Sequence, residues 1–185
     1  MITTDTPTSN KTRCFVTLKI SKEFVKNERL AELFDERTYC DEFIKSLIFS
    51  IEKRQLELFG FVILSNQIHL IIQPCGEKVI ETIDELKELS AKAVLQLMGK
   101  NLNSTDRDNC CKQSDFRKIF HNYINVDEAM FWQKTERPVE LKIKDENVLP
   151  IRSETLSFYL EKSDRSYLHL GANAFTKLML DTMKI

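Results

Sequence analysis

Charge of a single sign is missing from this sequence: formal net charge is -1 over 185 residues, and no run of like charges stands out. Composition therefore supplies no electrostatic footprint for nucleic acid. Paired, regularly spaced cysteines are also missing. The five cysteines are odd in number, which argues for a reducing cytoplasm and against a secreted disulfide scaffold. Cys110 and Cys111 are adjacent, whereas zinc sites present cysteines at separated CxxC-type spacings, so this pair reads as loop or core. No apolar h-region opens the chain, and no apolar run is long enough to span a membrane. Internal repeats and low-complexity tracts are absent. What is present is 42% hydrophobic residues, enough for one well-buried core, so a single domain is expected over 13–185. Residues 1–12 are polar without an apolar period and are expected to form a disordered tail.

The most informative stretch is GFVILSNQIHLIIQP, Gly60 to Pro74. Two apolar runs flank Ser65-Asn66, a turn-forming dipeptide, and the spacing predicts a β-hairpin. Successive strand side chains alternate between faces. Gln67, His69, Ile71 and Gln73 therefore share one side, and Ile68, Leu70 and Ile72 the other. Two ligand-capable side chains, Gln67 and His69, thus point the same way.

Around the hairpin, Cys14 to Ile20 reads as a first strand. An irregular connection over 21–35 follows, with a short helix in NERLAELF. From Glu36 to about Arg54, Phe43, Ile44, Leu47, Ile48 and Ile51 recur at helical spacing. Val79 to Met98 repeats that pattern and is expected to stop near Gly99 as at a glycine C-cap. The polar stretch 99–115 reads as a loop or insertion, and DFRKIFHNY after it as a short helix. Met130 to Ile143 combines an aromatic-rich strand, a turn at Arg137-Pro138 and a second extended segment. Ser153 is expected to cap a helix starting at Glu154, with Leu156, Tyr159 and Leu160 at helical spacing, and Ala172 to Met183 is read as a further helix. The order strand, helix, hairpin, helix, strand predicts an α+β fold, a ferredoxin-like antiparallel sheet with helices packed on it.

FVTLKI, the helix after it, GFVILSNQIHLIIQP and FWQKTERPVEL resemble, in order and spacing, the HUH-type single-tyrosine transposases, in particular the REP-associated tyrosine transposases. The similarity runs from about Cys14 to Tyr159. In that family the hairpin reads as a PNHVHL-like motif whose two histidines bind a divalent metal. Here the stretch is SNQIHL, with His69 at the second position and Gln67 at the first. The resemblance implies Mg²⁺ or Mn²⁺ held by His69 and Gln67, whose neutral amide oxygen is a hard donor but a weaker one than imidazole for transition metals. It implies attack by a tyrosine on a DNA phosphate. By chain order Tyr159 matches the tyrosine helix, with Tyr167 as runner-up, although the Asn-Pro that follows the tyrosine in the family is absent.

The resemblance implies single-stranded or hairpin DNA as the partner, a site built within one subunit or shared between the two of a homodimer, and strand cleavage and rejoining through a phosphotyrosine. A decayed or domesticated DNA-binding relative, and a ferredoxin-like interaction module, are the alternatives. A lone strand histidine or helix tyrosine is also an ordinary structural residue. Arg13, Lys19, Trp132, Lys134 and Arg137, with Lys11 and Lys118, are candidates for DNA contact. A solvated surface is the plain role for the charges and a buried strand position the plain role for Trp132.

Overall fold

The computed structural model describes residues 12–22, 30–76, 78–103, 130–134, 136–141 and 148–161. Calls that lie outside them are the 1–12 tail up to residue 11, the loop from 104 onward, the short helix at DFRKIFHNY, Cys110-Cys111, Lys118, Tyr167 and the helix at Ala172 to Met183. Four strands, β1 (Arg13–Lys19), β2 (Leu56–Leu64), β3 (Gln67–Pro74) and β4 (Val139–Leu141), form one sheet in the order β2-β3-β1-β4. All neighbours are antiparallel. With α1 (Arg37–Glu52) between β1 and β2, and α2 (Val79–Asn103) between β3 and β4, the connectivity is the ferredoxin-like βαββαβ arrangement. A 3-10 segment at Leu30–Asp35 leads into α1, and α3 (Ser153–Glu161) follows the sheet.

One face of the sheet is buried under the helices because the strands alternate. Cys14, Val16 and Leu18 of β1 and Ile68, Leu70 and Ile72 of β3 are all at most 3% exposed. They join Phe43, Ile44 and Leu47 of α1 and Ile83, Leu86 and Val94 of α2 in a single apolar core. The expected division of β3 into two faces holds: Gln67 and His69 lie on the side away from these helices and are half-buried.

The alternation is interrupted once. Leu58 pairs with Ile72, but Gly60 pairs with Ile71, so β2 carries one extra residue at Phe59. This β-bulge leaves Phe59 on the open face against Ile71 and, beyond it, sends Phe61 and Ile63 toward the helices.

Helix ends depart from two expectations. The helix does not stop near Gly99, as α2 continues to Asn103. Gly99 has no positive φ, so it takes an ordinary helical conformation and ends nothing. The glycine-type cap occurs instead at a residue with a side chain. Arg54 has φ 54°, and Arg54 N–H and Gln55 N–H donate to Ile51 O and Ser50 O, a Schellman closure of α1. Ser153 is helical rather than a preceding cap, and the Arg152 carbonyl accepts from Thr155 and Leu156 N–H.

Candidate functional site on the open sheet face

Cross-strand register assembles the open face into rows, since directly paired residues on adjacent strands point the same way. Nearest the hairpin turn, Lys19, Gln67 and Leu64 stand side by side. The next row is Thr17, His69 and Val62. The row after it contains Phe15, Ile71 and Gly60.

His69 is held from two directions. Thr17 Oγ1 lies 3.0 Å from His69 Nδ1, and the Phe15 ring stacks nearly parallel to the imidazole, with centroids 5.6 Å apart and planes at 14°. Burial lowers its pKa from 6.5, and Lys19 lowers it further by charge repulsion. The imidazole is therefore neutral at pH 7, the form that ligates metals. A hydrogen bond at one ring nitrogen is also the usual way in which a ligating histidine is oriented.

Whether this pair suits a divalent cation depends on the donors present. Gln67 offers an amide oxygen and His69 an imidazole nitrogen. Among the described residues no group of three His, Cys, Asp or Glu converges. Two neutral donors match the sparse protein ligation of Mg²⁺, which keeps waters and takes substrate phosphates, but without a carboxylate they would hold such an ion weakly.

The rim of the face comes from the aromatic-rich segment. Trp132 bridges Ile20, Gln133 N–H donates to Lys19 O at 2.8 Å, and Ser21 N–H donates to Phe131 O at 2.9 Å. Val139 pairs with Phe15. Seven steps separate Trp132 from Val139 and five separate Ile20 from Phe15, so the segment facing Lys19 carries two residues more, an edge bulge. That bulge carries exposed Lys134, Glu136 and Arg137, and Glu136 pairs with Lys19 at 3.6 Å.

Two of the DNA-contact candidates have partners inside the protein. Trp132 is 3% exposed. Its Nε1 donates to Lys87 O and Ser90 Oγ, each at 3.1 Å, and its ring stacks on Phe34, so it belongs to the core and presents no face to a base. Arg13 lies with its guanidinium 3.9 Å above the Phe59 ring and donates from Nη2 to Val148 O at 3.3 Å. Both contacts are internal to the protein.

Val148 begins a strap. It packs with Phe15 and Leu141 against Phe59 and Ile71 on the open face. Three residues later Ile151 N–H donates to Leu58 O at 2.6 Å, bridging the outer edge of β2. The chain then enters α3. Leu156 is fully buried in the main core, and Arg37 of α1 donates to Leu160 O. The backbone that carries Tyr159 therefore lies in the helix layer, with the sheet between it and His69. Tyr39 is buried at 3% exposure.

Thr17, Phe15 and Glu136 were not among the residues singled out from sequence. Their relevance depends on the β1–β3 pairing and the edge bulge, and neither leaves a local pattern. No family model matches this chain, and neither a curated protein nor a solved structure matches it.

Proposed function

We propose that this chain is a transposase-like protein that holds single-stranded or hairpin DNA on the open sheet face around Lys19, Gln67 and His69. The observation that carries the reading is the placement of Gln67 and His69, two residues apart on β3, on the uncovered face of a βαββαβ sheet beside Lys19. In this reading Gln67 and His69 hold Mg²⁺ or Mn²⁺, which when bound polarises a phosphoryl oxygen and offsets developing charge. The neutral, oriented imidazole is ready to ligate, and Lys19 supplies positive charge for a phosphate. A tyrosine, Tyr159 or else Tyr167, attacks phosphorus through its oxygen. The bond to the 3' oxygen breaks and that oxygen leaves as a hydroxyl, so the products are a 5'-phosphotyrosine and a free 3' end that can be rejoined.

A second reading, DNA binding without cleavage, is favoured by the position of α3 in the helix layer. If Tyr159 is the nucleophile, it must reach a site on the other side of the sheet, either in a partner subunit of a dimer or after rearrangement.

The test is incubation with hairpin-bearing single strands and Mn²⁺, followed by denaturing electrophoresis. The cleaving reading expects a protein–DNA adduct that disappears in Tyr159→Phe and His69→Ala. Loss in Tyr167→Phe alone reassigns the nucleophile. No adduct, together with binding that weakens as salt rises, selects the second reading. In that case Gln67→His, which rebuilds a two-histidine pair on an unchanged face, is expected to tighten Mn²⁺ binding by about tenfold or more.

A further inference from the structure

The open face consists of two unlike halves. Around Phe59 and Ile71 it is covered by Val148 of the strap, with Phe15 and Leu141 packed alongside, and Arg13 is committed to Phe59 and to the strap carbonyl. Strap and sheet are joined again at Ile151 and Leu58. Around Lys19, Gln67, Leu64, Thr17, His69 and Val62 every residue is half-buried or exposed. Lys19 stands in this half and pairs with Glu136 of the neighbouring segment, on which Lys134 and Arg137 are also exposed.

We propose that nucleic acid on this chain is confined to the hairpin-end half of the face, which accepts a single unpaired nucleotide with its phosphate at Lys19 and its base against Val62 and Leu64 beside His69. This proposal rests on the DNA-binding reading above and adds the footprint. Two rows on three strands make a patch of roughly 10 by 7 Å from ordinary strand spacings, the size of one base with its phosphate. A strand laid across the whole sheet would run into Val148. Stacking and apolar contact accept any base, so the half selects an unpaired end or extruded nucleotide rather than a sequence.

Fluorescence anisotropy at low salt with hairpins whose unpaired extension grows one nucleotide at a time tests the proposal on the full chain. Affinity is expected to rise with the first one or two unpaired nucleotides and then to level off. Lys19→Ala is expected to weaken binding by about fivefold, as for loss of one phosphate contact, and Arg13→Ala to leave it within about twofold. Thermal unfolding confirms that each variant is folded. Affinity that keeps growing with extension length, or a folded Arg13→Ala variant that loses as much as Lys19→Ala, overturns the footprint while leaving DNA binding in place. Absence of binding to every oligonucleotide overturns both.

Discussion

Thr17 and His69 face each other across β1 and β3, joined by a 3.0 Å contact between Thr17 Oγ1 and His69 Nδ1. This contact fixes the imidazole plane, and burial with Lys19 keeps it neutral.

The acid limb of stability follows from that environment. His69 has a folded pKa below 6.5, so between the folded and unfolded values the unfolded chain binds more protons. Stability is then fully present above about pH 6.5 and declines as pH falls through the window toward the folded pKa. Urea unfolding of wild type and His69→Gln in the presence of a chelator, at pH 7.5 and at mildly acidic pH, should show the wild type losing more. Equal losses would mean that His69 titrates as in an open chain.

Trp132 is the sole tryptophan, and its burial makes it a reporter. Emission should be blue-shifted and poorly quenched by acrylamide, and added hairpin DNA should leave it unchanged. Trp132→Phe removes the donor shared by Lys87 O and Ser90 Oγ and leaves a gap beside Phe34, at a cost of about 1–3 kcal/mol. Strong quenching by DNA would show that the ring is reachable after all.

Glycine and arginine occupy each other's favoured positions in the two long helices. Gly99 lies inside α2, where an added Cβ meets nothing within 4 Å, so Gly99→Ala should stabilise by about 0.5–1 kcal/mol. Arg54 holds the left-handed cap of α1, and Arg54→Gly should stabilise by about 0.5–1 kcal/mol once the greater freedom of glycine in the unfolded chain is deducted. Thermal unfolding of the two single variants checks both. A loss at Gly99→Ala would show that helical propensity does not govern this end of α2.

The hairpin was legible because its signals are local: Ser65-Asn66 for the turn, and period two for the faces of Gln67 and His69. The α1 segment was legible for the same reason, since its apolar spacing reflects one buried side. Gly99 misled because glycine marks a helix end only where the backbone turns left-handed, and α2 has no such turn there. Register and layer were beyond reach. Nothing in Thr17 announces His69 as its partner. The apolar stripe of Leu156 and Leu160 says that α3 has a buried side without saying which side of the sheet it covers. The strap was missed because Val148 and Ile151 flank Leu149 and Pro150 in a stretch too short for any period.

The bulge at Phe59 turns β2 into two half-strands of opposite phase. Leu56 and Leu58 face the helices from even positions, while Phe61 and Ile63 do so from odd ones. The spacing between Leu58 and Phe61 therefore behaves like a reading frame. Removing Phe59 would bring both half-strands into one frame, with Phe61 still opposite Leu70 and Val62 still opposite His69, and would strip the open face of the ring that packs on Ile71 and lies under Arg13. The Ser65-Asn66 tip is anchored, because Ser65 O accepts from Phe34 N–H and Asn66 O from Ile20 N–H. Losing one residue in the middle of this arm thus costs surface cover and keeps both faces, whereas a change of length at the tip disturbs two anchoring hydrogen bonds.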